Sequence, residues 1–213
     1  MEIVNPLIEE YLLDHLPSTD PILVEMEERG EEDDFPIVGP LVGRTLALFT
    51  HLIKARRIFE FGSGFGYSTW WFAQAAGHNG HIVHTETSEA LSEDARTYLT
   101  RGKMHDRVLF EVGDAMDIFR QHQEEELWDI VFLDHEKQRY AEALDLVWPR
   151  IRPGGLLIAD NVLWKGKVLT GDPSEPTRGI KQFTDALLAV PDGQTTILPL
   201  RDGVSVTWKT REY

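Results

Sequence analysis

A chain of 213 residues and 24.3 kDa, with 42% hydrophobic and 27% charged residues, carries enough apolar material for one packed domain and too little length for two catalytic ones. It has no cysteine, which excludes a disulfide framework, a thiolate metal site and a cysteine nucleophile. Acids outnumber bases 36 to 21 for a formal charge of −15, and only seven of the bases are lysine. Such a surface repels nucleic-acid backbones and anionic lipid, so small molecules are the expected partners.

No apolar run reaches the roughly 18 residues of a membrane-spanning helix, and Met1-Glu2-Ile3-Val4 carries an acid where a secretory leader carries base. The expectation is a cytoplasmic protein. One domain is expected over 1–213, with an N-terminal helical region at 1–55 and an α/β core at 56–213.

Leu7, Ile8, Tyr11, Leu12 and Leu16 recur at helical spacing and predict an N-terminal helix packed on the main body. Seven carboxylates in the ten residues from Glu25 to Asp34 read as a solvated loop or helix face, because the alternating spacing of a calcium loop is absent. Leu41, Thr45, Leu46, Leu48, Phe49, Leu52 and Ile53 form a second amphipathic stripe.

From residue 56 short apolar runs alternate with helix-like segments, the pattern of a parallel sheet with crossover helices. Strands are predicted at Arg57–Phe61, His81–Glu86, Val108–Val112, Trp128–Leu133 and Gly155–Ala159, with helices near 67–76, 88–101, 115–123 and 138–150. Thr195–Leu200 and Val204–Lys209, joined by Arg201-Asp202-Gly203, predict an antiparallel hairpin closing one sheet edge.

In such a sheet ligands bind beyond the carboxyl ends of the strands, and nearly every end here is polar. The first strand enters Glu60-Phe61-Gly62-Ser63-Gly64-Phe65-Gly66-Tyr67-Ser68, a glycine-rich turn before a helix start, suited to a nucleotide-type ligand. Its G-x-G-x-G spacing is not the G-x-G-x-x-G of dinucleotide folds. Ser63 also lacks the G-x-S-x-G of a hydrolase elbow, since Phe61 stands where the first glycine belongs. The second strand ends at Glu86, an acid placed either to accept from a ribose diol or to cap the helix after Ser88. The third ends in Gly113-Asp114-Ala115, where Asp114 faces an adenine or caps the next helix.

The fourth and fifth strands end in Asp134-His135-Glu136-Lys137 and Asp160-Asn161. Asp134, Asp160 and Asn161 offer hard oxygen ligands to a divalent cation, magnesium or calcium. Lys137 is a candidate base if neighbouring positive charge depresses its pKa. His81 and His84 fall on opposite faces of one strand, which argues against a shared metal with His78, and Trp70 and Trp71 read as packing residues.

In their order and spacing, these residues resemble the cation-dependent, S-adenosylmethionine-dependent O-methyltransferases, the group of catechol and caffeoyl-CoA O-methyltransferases. The likeness runs from Val38-Gly39-Pro40 through Glu60–Ser68, Glu86, Gly113-Asp114-Ala115 and Asp134–Lys137 to Asp160-Asn161-Val162 and the hairpin. It implies a Rossmann-like, class I methyltransferase α/β fold with a seven-stranded, mostly parallel sheet. It further implies that Val38, Gly62, Ser63 and Ser68 hold the methionyl end of the cofactor beside Glu60, and that Glu86 takes the ribose. Asp114, Ala115 and His135 would border the adenine, and Gly64 and Asp134 would also belong to the cofactor site. Asp134, Asp160 and Asn161 would bind magnesium, calcium or manganese, and Lys137 would be the general base.

The acceptor implied is a small molecule with vicinal hydroxyls. Its identity stays open, because Glu136 stands where catechol enzymes carry an aromatic. Two rival functions remain: methylation of hydroxyuridine in transfer RNA, which the charge of −15 opposes, and a nicotinamide-dependent oxidoreduction, which leaves the acidic set unexplained. Homodimerisation is a further expectation that the resemblance carries.

Overall fold

The computed structural model describes residues 3–17, 19–122 and 127–210. Met1, Glu2 and Gln123, which enter the expectations above, lie outside them. Three helices come first: α1 (Pro6–Asp14), α2 (Pro21–Glu32) and α3 (Gly39–Leu52). Asn5 and Asp20 start the first two by accepting the N–H of Leu7 and Ile22, each followed by a proline that needs no N–H partner. Most of the acidic cluster is the outer face of α2, whose other side buries Leu23, Met26 and Gly30.

The core alternates strand and helix: β1 (Arg57–Phe61), α4 (Tyr67–Ala76), β2 (His81–Glu86), α5 (Glu89–Arg101), β3 (Val108–Val112), α6 (Ala115–Gln121), β4 (Trp128–Leu133), α7 (Tyr140–Val147) and β5 (Ile151–Ala159). Then follow α8 (Glu175–Leu188), β6 (Gly193–Leu198) and β7 (Val204–Lys209). The seven strands lie in the order β3-β2-β1-β4-β5-β7-β6. All neighbours are parallel except where β7 runs antiparallel to β5 and β6. Chain order reverses at β1, with β2 on one side and β4 on the other, and this opens a crevice at their carboxyl ends.

The first four strands begin and end where the sequence predicts. β5 starts earlier, at Ile151 rather than Gly155: Ile151 pairs with Trp128, the register shifts through Pro153-Gly154, and pairing resumes at Leu156 opposite Ile130. β6 spans 193–198 rather than 195–200, because Pro199 cannot donate to the ladder and Leu200 joins the turn.

Side chains alternate between the two faces of the sheet and build two apolar layers. One holds Ile58, Trp70, Phe72 and Phe132, the other Phe59, Phe61, Phe119 and Phe183. Phe59 meets Phe119 and Trp128 edge-on at 4.9 and 5.2 Å. Trp70 and Trp71 are buried, as predicted.

The N-terminal helix departs from expectation. α1 buries none of its residues, and Leu7, Ile8 and Tyr11 are 70%, 52% and 59% exposed. The helix is short and meets α3, and among the described residues nothing covers Leu7, Ile8 and Tyr11. Among the described residues no helix is long and apolar enough to cross a membrane.

α8 packs backbone to backbone on the turn that carries Lys137. A Cβ at Gly179 would lie 2.4 Å from the Gln138 Cα and 2.6 Å from the Lys137 carbonyl oxygen. Gly179→Ala is expected to cost ~1–3 kcal/mol in denaturant unfolding as α8 is forced away; an unchanged midpoint would show that α8 does not support the turn.

Candidate active site

At the crevice, Gly62 takes φ 81° and a Cβ there would meet the Asp134 carbonyl oxygen at 2.8 Å, so only glycine lets the end of β1 run against the end of β4. The loop turns into α4 at Gly66, leaving free N–H groups at the helix start. Around it lies a cavity of about 600 Å³. Val38 enters from the segment before α3, and Gly62, Ser63, Gly64 and Ser68 from the loop and first turn of α4. Glu86 comes from β2, Asp114 and Ala115 from the start of α6, Asp134, His135 and Lys137 from beyond β4, and Asp160 and Asn161 from beyond β5. Every predicted site residue lines this one cavity except Glu60, which is buried behind its wall.

Glu60 accepts the Thr69 hydroxyl on Oε2 at 2.5 Å, while Oε1 has no hydrogen-bond partner. Burial pushes this carboxyl up to about 7; the hydroxyls of Ser68, Thr69 and Ser63 oppose the rise and the charge of Asp134 adds to it. Glu86 accepts the Ser88 N–H at 2.9 Å ahead of α5 and the Gly64 N–H at 3.1 Å, and lines the cavity edge. Asp114 likewise caps α6 through the N–H groups of Met116 and Asp117, at 3.0 and 3.1 Å. It also pairs with Arg139, which holds its carboxyl below the usual range.

His135 sits between the rings of Phe61 and Tyr140, at 5.3 and 5.2 Å, with no hydrogen-bond partner on either nitrogen. Burial drives its pKa down to about 3. The ring is therefore neutral and offers the cavity one donor and one acceptor.

Asp160 is buried at the end of β5, its Oδ1 accepting the Asn161 N–H at 2.8 Å. Burial and the neighbouring charge of Asp134 raise its pKa. Two carboxylates crowded at one mouth beside an amide oxygen form a hard donor set that a divalent cation would relieve. The described residues contain no group of three or more His, Cys, Asp or Glu side chains placed to hold a metal, so such a site depends on Asn161 and on oxygens of water or substrate.

Lys137 donates to Asp134 Oδ1 at 2.7 Å. Burial alone would lower its pKa, but the charge of Asp134 and the contact with Tyr140 raise it on balance. The sequence reading invoked a neighbouring positive charge; the neighbour in place is negative and keeps the ammonium protonated.

Several cavity residues escaped sequence reasoning. Phe35 covers the glycine loop, 2.9 Å from where a Gly64 Cβ would stand and 5.1 Å from the Phe65 ring. Trp164 and Lys165 carry left-handed backbones of φ 46° and 52°. Asp202, from the turn before β7, accepts the Lys165 N–H and lines the same space. The Asp202-Gly203 signal marked the turn, but no local pattern gives its position against Leu163 and Lys165 at the cavity.

The sequence model of the O-methyltransferase family matches residues 21–210. The chain belongs to this family. The O-methyltransferase fold is shared across solved structures: an O-methyltransferase from Bacillus cereus in complex with SAH superposes with a TM-score of 0.87 at 29% identity, covering 96% of this chain and 97% of that one. TomG from Streptomyces achromogenes, in complex with SAM, gives 0.86 at 28% identity and 96% of each chain. A catechol O-methyltransferase from Niastella koreensis is 32% identical over 198 residues, 91% of this chain and 90% of its own length. One from Mycobacterium tuberculosis is 31% identical over 166 residues, 77% and 75% of the two lengths.

The raised Glu60 pKa has a stability consequence with a definite sign. A buried acid that prefers its proton stabilises the fold below the unfolded pKa and loses that contribution as pH rises through the folded one. Glu60→Gln, which cannot ionise, is therefore expected to gain stability relative to the parent between about pH 4.5 and about 7 in ligand-free unfolding. A pH-independent difference would contradict the burial of an ionisable Glu60.

Proposed function

We propose that this O-methyltransferase transfers the methyl group of S-adenosylmethionine to one hydroxyl of a small acceptor with vicinal oxygens, aided by a divalent cation at Asp134, Asp160 and Asn161. The observation that carries the proposal is convergence: the nucleoside-facing Glu86 and His135, the acidic pair and Lys137 all line one cavity. Relatives solved with SAM or SAH support the cofactor, and relatives named catechol O-methyltransferase support the acceptor class. The charge of −15 favours a small acceptor over transfer RNA.

When bound, the cofactor supplies an electrophilic sulfonium methyl, and a cation such as magnesium, calcium or manganese supplies charge that lowers the pKa of the acceptor hydroxyl. The chain's own residues do the rest. Glu86 and neutral His135 orient the nucleoside, and Glu60 places negative charge behind the cationic methionyl end. Asp160 and Asn161 fix the acceptor side at the height where β5 ends, so that distance and alignment are set before reaction. Lys137 can take the hydroxyl proton only when Asp134 is engaged by charge other than the lysine's own ammonium. The exposed stripe of α1 fits a homodimer, in which a second copy would cover it.

Labelled S-adenosylmethionine, offered with catechols, caffeoyl esters and bulk transfer RNA, tests the assignment. Transfer to a catechol-type acceptor that disappears with chelator is expected; full transfer in chelator would remove the cation, and transfer to RNA alone would replace the acceptor class. Lys137→Ala should lower kcat by roughly 10²–10⁴ with little change in SAH affinity. A parental kcat would remove it as the base.

A further inference from the structure

Behind the cofactor wall lies a polar chain that the proposed mechanism does not use. Thr69, in the first turn of α4, and His84, in the middle of β2, are both fully buried. They sit in the layer otherwise built from residues such as Phe72, Phe132 and Ile82. Polar groups in such a layer cost free energy unless they are bonded. Thr69 Oγ1 is 2.5 Å from Glu60 Oε2 and 3.1 Å from His84 Nδ1. At one end of the chain His84 Nε2 has no hydrogen-bond partner; at the other, Glu60 Oε1 has none of good geometry, and the hydroxyls of Ser68 and Ser63 stand beside the carboxyl.

The helical threonines of α3 show what Thr69 forgoes. Thr45 and Thr50 turn their hydroxyls back onto the Leu41 and Leu46 carbonyls, each at 2.8 Å. The Thr69 hydroxyl instead bridges two other elements, β1 and β2.

We propose that Thr69 and His84 are positioning residues for Glu60: His84 Nδ1–H donates to Thr69 Oγ1, Thr69 donates to Glu60 Oε2, and the carboxylate is thereby held behind Ser63 and Ser68, where its charge acts on the methionyl end of the cofactor. This rests on the reading of Glu60 as a cofactor residue. The direction follows from counting protons. The hydroxyl has one to give; if it went to His84, Glu60 would have to be protonated to donate to Thr69, a state lost above about pH 7 and in the ionised form a cationic cofactor favours, and His84 would keep an orphaned Nε2–H. A buried donor without a partner is rarer than an under-used acceptor, and a 2.5 Å separation suits a hydroxyl bound to a carboxylate. The ring stays neutral, since burial and the nearby Arg96 both disfavour its cation. Fixed in this way, Glu60 loses the freedom to rotate its carboxylate away from the cofactor before binding.

SAH affinity by calorimetry, together with KM for S-adenosylmethionine and kcat, should be measured for Thr69→Val, Thr69→Ser, His84→Leu and Glu60→Gln. Thr69→Val and His84→Leu are expected to weaken SAH binding and raise that KM about tenfold, with kcat far less affected, and Thr69→Ser to restore both. Parental affinity in a folded Thr69→Val protein, alongside weakened binding in Glu60→Gln, would overturn the positioning role. Parental affinity in Glu60→Gln would instead remove the cofactor reading beneath it. A second readout needs no variant to fold: nitrogen NMR of ligand-free parent protein above about pH 7, where Glu60 is ionised, should show His84 protonated on Nδ1, and the Nε2–H tautomer there would overturn the proposed direction.

Discussion

Everything at this site depends on three neighbouring strands ending in step. Phe61 of β1 lies in register with Leu133 of β4, and Leu133 with Ala159 of β5. The next residues, Gly62, Asp134 and Asp160, therefore leave the sheet at one level. The ladder continues just past the strands: the Asp134 N–H donates to the Phe61 carbonyl at 2.8 Å and the Asp160 N–H to the Leu133 carbonyl at 3.0 Å. Tyr140 reinforces this edge, its hydroxyl shared between the carbonyls of Leu133 and Asp160 at 2.9 and 3.2 Å. A one-residue slip would send each of these side chains to the other face.

That register also sets the electrostatics. Asp134 attracts Lys137 and raises both Asp160 and Glu60 through its charge. The two raised acids are buried, so their ionised forms are disfavoured in a region of low dielectric. Their ionisation opposes stability at neutral pH, whereas cationic ligands would favour the same ionised forms. Stability given up at the cavity is thus available as affinity for positive charge, the usual relation between perturbed acids and function.

The cofactor half of the site was legible because sheet geometry couples it to sequence. Apolar runs locate strand ends, so the acid or glycine after Phe61, Val112, Leu133 or Ala159, and the acid Glu86 that ends β2, are placed by counting. The early start of β5 was hidden by Pro153-Gly154, which interrupts the run without ending the strand. The packing of α1 was misjudged because periodicity reports an apolar face but not what covers it. Phe35 and Asp202 were invisible for a different reason: each reaches the cavity from a connection whose path is fixed by tertiary bonds.

Those bonds explain why the wall beyond β5 resists the same treatment. The loop after Asp160 is tied to the hairpin turn by Val162 N–H to the Gly203 carbonyl and Leu163 N–H to that of Asp202, at 3.0 and 2.9 Å. Asp202 then captures the Lys165 N–H and helps hold two successive left-handed residues, a conformation that neither Trp164 nor Lys165 favours alone. From the same turn, Arg201 donates to the Ile37 carbonyl at 2.5 Å and so fixes the segment that brings Phe35 and Val38 over the glycine loop. Residues some 160 positions apart thus shape one wall. Strand ends fix the level of Gly62, Asp134 and Asp160, while two connections braced against each other by the 201–203 turn shape the rest of the cavity wall, so changes in those connections can reshape the opening without disturbing the register.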